Sequence, residues 1–311
     1  MRIGSRGSAL ALAQASFVAE LLGGAQAGVE IVTVTTSGDR AALVGDKSRW
    51  VRELEAALLA GEIDAAVHSA KDVPAELPDG LALVAAPDRA DPRDALCGAG
   101  SLDALPDGAR VGTSSLRRAA GLRALRPDLE VVALRGNVDT RLRKLPEAAW
   151  DAIVLAAAGL ERLGRGSDAG CLLDELVPAP GQGTLVLEAR ADDAAARAAL
   201  AAVDDPHVGA CLAAERALAR ALGATCNTPL GAHAALADDG ALTLRAFLGL
   251  PDGSAWLRDQ LSDPLGASPE TLGAEVAARM RAAGADELLA ACEALGTGAL
   301  PPASTPEGTR L

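Results

Sequence analysis

The stretch ARVGTSSLRRAAGLRALRPDLEVVALRGNVDTR, residues 109–141, decides the fold class. Ala109–Gly112 reads as a short strand that leads into a helix over Ser115–Leu125. Glu130–Leu134 is strand-like again, and Arg135–Arg141 opens a further helix. The same alternation extends in both directions. Val29–Thr35 is a strand, Trp50–Ala60 has the i, i+3, i+4 apolar spacing of an amphipathic helix, and Ile63–Val67, Leu81–Ala85 and Asp151–Leu155 are further strands. Repeated βα units bury their apolar faces as parallel or mixed sheets covered by helices, so the class is α/β.

Two breaks divide this alternation. Pro87–Asp94 (PDRADPRD) is polar and proline-bearing, and Pro178–Gly183 (PAPGQG) precedes one more strand at Thr184–Ala189. Past Pro206 the character changes. A long Ala-rich helix over Val208–Leu222 is followed by strands at Gly231–Leu236 and Ala241–Leu248, joined as a hairpin by Asp238-Asp239-Gly240. Helical patterns near Leu272–Ala283 and Asp286–Glu293 complete a smaller α+β unit. The tail from Thr297 is rich in Gly, Pro, Ser and Thr and is expected to be disordered.

The chain has 311 residues, enough for two or three domains with cores of their own. Its net charge of −13 argues against nucleic acid or an anionic membrane as the main partner. Between Arg110 and Leu145, however, nine cations face three anions, a local charge of +6 that suits a small polyanionic ligand. Lys47, Lys71 and Lys144 are the only lysines. No apolar run is long enough for a secretory signal or a membrane span, so a cytoplasmic location is expected. Five widely spaced cysteines without a CxxC pair read as free thiols in a reducing compartment. His68, His207 and His233 lie far apart, so no metal site is expected.

Four constellations bear chemistry. Gly112-Thr113-Ser114-Ser115-Leu116-Arg117-Arg118 sits where a strand yields to a helix, and hydroxyls, N–H groups and arginines there favour an anion. A capped helix with solvated arginines would look the same. Arg135-Gly136-Asn137-Val138-Asp139-Thr140-Arg141 repeats the arrangement after the next strand and tips the balance toward a carboxylate or phosphate, which arginine holds bidentately. In Val67-His68-Ser69-Ala70-Lys71-Asp72-Val73-Pro74 a strand ends in a polar turn carrying a cation beside a carboxylate. Asp72 could act as general acid–base there, or it could simply cap the turn. In Gly223-Ala224-Thr225-Cys226-Asn227-Thr228-Pro229 a loop cysteine has the setting of a nucleophile or attachment point. Cys97, Cys171, Cys211 and Cys292 sit beside apolar neighbours and are read as inert.

Taken together, VHSAKDVP (67–74), DPRDAL (91–96), VGTSSLRR (111–118), LRGNVDTR (134–141), AAAGLERLG (156–164), PGQG (180–183), AERAL (214–218) and the Cys226 loop resemble the hydroxymethylbilane synthase (porphobilinogen deaminase) family, in register from about Arg2 to Cys292. The resemblance implies two lobes like those of periplasmic binding proteins and a small α+β C-terminal domain. The chain would return to the first lobe after PGQG. The expected division is residues 1–87 with 184–201, then 93–177, then 206–296, with 297–311 as the tail. The resemblance also implies a dipyrromethane cofactor held by a thioether to Cys226. On it four porphobilinogen units are joined in turn, each losing ammonia, before water releases the linear tetrapyrrole. Asp72 matches the family's catalytic carboxylate, placed to stabilise the cation left by ammonia. Arg6, Ser8, Lys47, Ser69, Lys71, Arg117, Arg118, Arg135, Arg141 and Arg162 match cofactor- and substrate-binding positions, and Thr113, Ser115 and Gln182 supporting ones. A monomer without metal is implied.

Four places depart from the family pattern. Leu43 stands at a common lysine position and Ser37 at a common arginine. Ser48-Arg49-Trp50 replaces a Gly-apolar-Phe turn, and Ala224-Thr225 replaces Gly-Gly before the cysteine. Thr225 is expected to restrict its loop, since a β-branched residue does not readily take positive φ. A two-lobed module sensing a small dicarboxylate would also account for the lobes and the arginines. It leaves Cys226, the third unit and the Lys71-Asp72 turn without a use.

Overall fold

The computed structural model describes residues 1–34, 49–147, 150–225, 227–263 and 268–295. Ser37, Leu43, Lys47, Ser48, Cys226 and the tail 297–311 lie outside the described residues. The chain divides into two compact units, one formed by Met1–Ala90 with Gly183–Ala210, the other by Asp91–Gln182 with Cys211–Leu311. Elements are numbered in chain order.

The first unit is a five-stranded sheet of β1 (Arg2–Arg6), β2 (Glu30–Val34), β3 (Ala65–Ser69), β4 (Leu81–Arg89) and β10 (Thr184–Arg190), in the order β2-β1-β3-β10-β4. Only β10 runs against the rest. The two-residue period of the strands sorts side chains onto two faces. Ile3, Ala65, Val67, Leu185 and Leu187 pack with Val18 of α1 (Ala9–Leu21) and Leu200 of α6 (Ala194–Ala201). Ala66, with Ile63 from the turn before β3, packs on the opposite face with Leu54, Ala57 and Leu58 of α2 (Arg49–Leu59). Gly4 on β1 admits this second layer, because a Cβ there would lie 2.3 Å from Ile63 Cδ1. The Pro87–Asp94 break of the sequence is shorter than expected. β4 runs on through Pro87 to Arg89, as an edge strand whose pairing with β10 shifts register at this point. Edge positions and bulges are where a strand tolerates proline.

The second unit contains two sheets. Its larger sheet joins β5 (Asp94–Cys97), β6 (Arg110–Gly112), β7 (Glu130–Val132), β8 (Ala152–Ala156) and β9 (Cys171–Leu173) in the order β7-β6-β8-β5-β9, again with one reversed strand, β5. Val111, Val131, Val154 and Leu96 pack against Leu122 of α3 (Leu116–Leu125). Ile153 and Leu155 pack with Leu142 of α4 (Val138–Glu147) and Leu160 of α5 (Ala157–Arg162) on the other side. The smaller sheet is antiparallel, β11 (Leu230–Leu236), β12 (Leu242–Gly249) and β13 (Trp256–Asp263). Its core residues, Ala232, Leu244 and Leu248 among them, pack with α7 (Pro206–Ala221), α8 (Pro269–Ala282) and α9 (Ala285–Ala294). The Asp238–Gly240 turn closes the β11–β12 hairpin, with Gly240 at φ 83°.

Candidate active site

In the first unit the parallel strands β1 and β3 end at the same edge, the place where open α/β sheets present ligand groups. Arg6 is the last residue of β1 and Ser69 the last of β3. Residues Ala70–Asp72 then turn as a short 3₁₀ segment, leaving Lys71 and Asp72 half-buried. The strand end is held on both faces. Ser69 Oγ accepts from Gln14 Nε2 of α1 at 2.9 Å, and His68 Nε2 lies 2.9 Å from Glu188 Oε2 of β10. Ser8 caps α1, its Oγ accepting from the Ala11 N–H at 3.3 Å. Arg6, Ser8, Ser69, Lys71 and Asp72 thus come to one edge of one sheet. Lys47 lies outside the described residues.

In the second unit the edge at the end of β6 carries hydroxyls. Thr113 is fully buried, and its Oγ1 accepts from the Ser115 N–H at 3.2 Å. Ser114 Oγ donates to the Leu134 carbonyl at 2.7 Å. Ser115 caps α3, its Oγ accepting from the Arg118 N–H at 3.4 Å. The next two arginines are not solvated. Arg117 and Arg118 are only 5% and 6% exposed, and both converge on Asp94, which is wholly buried. Arg117 Nη1 donates to Asp94 Oδ2 at 2.7 Å and to the Val177 carbonyl at 2.8 Å, while Nη2 reaches Oδ1 at 3.2 Å. Arg118 Nε donates to Asp94 Oδ1 at 2.9 Å and its Nη1 to the Val154 carbonyl at 2.9 Å. Gln182 Nε2 adds a 2.8 Å bond to Asp94 Oδ1 and another of 2.8 Å to the Pro92 carbonyl. Burial alone would push the Asp94 carboxyl up, but the two guanidiniums and the amide hold it well below the usual carboxylate range.

The remaining arginines are more open. Arg135 is exposed and Arg162 half-buried. Arg141 donates from Nε to the Gly136 carbonyl at 2.7 Å, and among the described residues no carboxylate pairs with it. Burial and the nearby charge of Arg118 bring its guanidinium down to about 10. It remains cationic near neutrality. Asn137 Oδ1 accepts from the Thr140 N–H at 2.9 Å and fixes the start of α4 beside it.

Cys226 lies outside the described residues, but its neighbours are ordered by hydroxyls. Thr225 Oγ1 accepts from the Asn227 N–H at 3.3 Å, and Thr228 Oγ1 accepts from the Thr225 N–H at 2.9 Å. The other four cysteines are free thiols. Burial pushes Cys97 and Cys292 up to about 11 and raises Cys171, so none of the three is a ready nucleophile. Among the described residues no group of His, Cys, Asp or Glu could hold a metal ion.

Sequence reasoning did not single out Asp94, Gln14, Glu188 or Glu215. Glu215 of α7 is wholly buried, its Oε2 accepting from the Gly181 N–H at 2.6 Å and its Oε1 from the Ala234 N–H at 2.7 Å. The signal available for Asp94 was an acidic residue opening an apolar strand, which is costly unless a cation is buried with it.

One α/β lobe presents a carboxylate turn at a strand end and the other hydroxyls and arginines at helix starts, groups of the kind that bind anions. Residues 1–198 match the family model described as "Porphobilinogen deaminase, dipyromethane cofactor binding domain", and residues 210–282 match "Porphobilinogen deaminase, C-terminal domain". The porphobilinogen deaminase of Thiobacillus denitrificans is 47% identical over 305 residues, which is 94% of this chain and 99% of that protein. That of Chromobacterium violaceum is 49% identical over 300 residues, 93% and 96% of the two chains. Among solved structures, a YaeC-family lipoprotein from Enterococcus faecalis gives a TM-score of 0.40 at 16% identity over 65% of this chain and 90% of that one, a slight likeness from which nothing about the reaction follows. The chain belongs to the porphobilinogen deaminase family. Its activity is that of a transferase, hydroxymethylbilane synthase, which joins four porphobilinogen units on a dipyrromethane primer in tetrapyrrole biosynthesis.

Proposed function

We propose that Asp72 is the catalytic carboxylate of this reaction and that Cys226 carries the primer. Each pyrrole ring brings one acetate and one propionate, so primer and growing chain are polyanions. The single observation that supports this reading best is Arg141, desolvated and without a carboxylate partner among the described residues, beside the Asp94-held arginine pair. A desolvated guanidinium with no carboxylate partner among the described residues fits a carboxylate-bearing ligand. When bound, dipyrromethane supplies the nucleophilic pyrrole carbon to which units are added.

The chain's own residues then divide the work. Asp72 accepts a hydrogen bond from the pyrrole N–H and, still ionised, stabilises the positive charge that develops as ammonia leaves porphobilinogen; it then receives the proton that the attacking pyrrole carbon gives up when the new carbon–carbon bond is made. Arg135, Arg141 and Arg162 hold acetates and propionates, with Arg6, Ser8, Lys47, Ser69 and Lys71 as their counterparts on the first lobe. Thr113 and Ser115 orient the start of α3. Arg117, Arg118 and Gln182 act from inside the lobe, as a buried positive field whose geometry Asp94 sets. The division into a first lobe of 1–87 with 184–201, a second of 93–177 and a third domain of 206–296 belongs to the same reading. So does a cytoplasmic monomer without nucleic-acid or membrane partners; among the described residues no helix is long and apolar enough to cross a membrane.

Asp72→Asn tests the assignment. It keeps the shape and removes the charge, so kcat falls by roughly 10²–10⁴. Turnover equal to the parent's would place the chemistry on another group.

A further inference from the structure

His68 and Glu188 have no part in the reaction as described, yet both are buried, at 5% and 0% exposure. They lie on the α2 face of the first sheet, as the pairing of Glu188 with Ala66 and of Val186 with His68 requires. Their contact is a diagonal cross-strand one, tying the last turn-side residues of β3 to the reversed strand β10. Glu188 Oε1 is buried without a hydrogen-bond partner. A second carboxyl, Glu55 of α2, is turned into the same layer at 5% exposure, with its own Oε1 unpartnered. Burial and then the neighbouring Glu188 raise the Glu55 carboxyl above its ordinary value, while His68 and Arg52 act the other way.

Core packing gives no reason for this cluster. Buried charged or half-satisfied polar groups stabilise a fold no better than apolar side chains of the same volume, and often less well. What the cluster does is local. The Ala70–Asp72 turn follows His68 after one residue, Ser69. Successive strand residues point to opposite faces, so Gln14 pins Ser69 from the α1 side while Glu188 pins His68 from the α2 side. The strand end is clamped on both faces immediately before Lys71 and Asp72.

We infer that the buried His68–Glu188 pair is a positioning device for the reaction, fixing the C-terminal end of β3 and through it the carboxylate of Asp72. His68 and Glu188 are positioning residues and touch no substrate. The inference rests on the assignment of Asp72 made above. It is separable from it, because a residue that acts through Asp72 has nothing to act on once Asp72 is replaced.

A double-mutant cycle on the holoenzyme reads this directly, with kcat, KM and thermal unfolding measured for His68→Ala, Asp72→Asn and the two combined. His68→Ala lowers kcat by about 10- to 100-fold at nearly constant KM, as expected for a displaced reacting group. In the Asp72→Asn background it changes kcat by less than about twofold, while lowering the unfolding temperature as much as in the parent. Parental kcat in His68→Ala overturns the inference, and so does the same fold loss of kcat in both backgrounds. Parental kcat in Asp72→Asn overturns the assignment of Asp72 and the inference with it. Should His68→Ala not fold, Glu188→Gln decides the matter in the same cycle. It keeps an acceptor for the imidazole, so it retains more kcat than Glu188→Ala, and equal kcat in the two variants overturns the proposal.

Discussion

The two lobes share one plan and differ in how they treat the carboxylate on the reversed strand. Both sheets have three parallel strands, then one reversed strand, then an outer strand. In each, the reversed strand is the first to follow a crossing of the chain from one unit to the other, β5 after residue 90 and β10 after residue 182. Each reversed strand buries one carboxylate completely, Glu188 in β10 and Asp94 in β5. Asp94 is saturated by two guanidiniums and an amide. Glu188 has one imidazole, an unpartnered oxygen and a second carboxyl close by. The comparison separates two uses of a buried acid. On the second lobe it locks a pair of cations into a rigid positive field. On the first it holds a strand end in place and leaves the neighbouring cluster electrostatically unsettled.

The largest consequence falls on the saturated site. Asp94→Asn leaves two buried guanidiniums without a counter-charge, which costs about 3–5 kcal/mol. Denaturant unfolding of the variant measures it, and a loss below about 1 kcal/mol would remove the distinction between the lobes. The pH dependence has a definite sign. Because the Asp94 carboxyl is held below its unfolded value, its pairing is fully present above about pH 3.9 and is lost as the pH falls further. The parent and Asp94→Asn should therefore converge in stability only in strong acid.

Glu55 runs the opposite way. Its carboxyl is raised above the ordinary 4.5, so its contribution is present below that pH and is lost as the pH rises through the folded value. Glu55→Gln should raise the unfolding temperature near neutrality and leave it unchanged below about pH 4.5. A variant less stable than the parent at neutral pH would show that the cluster on the first lobe is settled after all. The smallest effect belongs to the exposed Thr225. Thr225→Ala removes the acceptor for the Asn227 N–H and should change the unfolding free energy by about 0.5 kcal/mol or less. A larger change would give the loop beside Cys226 a stability role that no pairing within it explains.

The α/β alternation was legible in the sequence because Glu30–Val34, Ala65–Ser69 and Ala152–Ala156 are apolar runs flanked by helix-period segments. β5 and β9 were not, being four and three residues long, shorter than any periodicity can mark. β13 escaped because WLRDQLSD places charged and polar residues on its outer face and reads as a loop. At the site, the residues at strand ends and helix starts could be read from local order. The burial of Arg117 and Arg118 could not. Their partner Asp94 is 23 and 24 residues away in sequence, on a short reversed strand that enters the sheet between β8 and β9. Gln182, 88 residues from Asp94, completes the same site from the turn at the second crossing. Thr225 was expected to restrict its loop through its backbone; its hydroxyl also accepts a hydrogen bond from the Asn227 N–H, which local order did not reveal.

Attachment of the primer at Cys226 is the claim on which the remaining roles depend, and intact-mass analysis of the purified protein tests it most directly. The parent should carry the added mass of one dipyrromethane, located by peptide mapping on Cys226, and Cys226→Ala should show the unmodified mass and form no product. A Cys226→Ala protein that still bears the added mass, or a parent that bears none, would contradict the account.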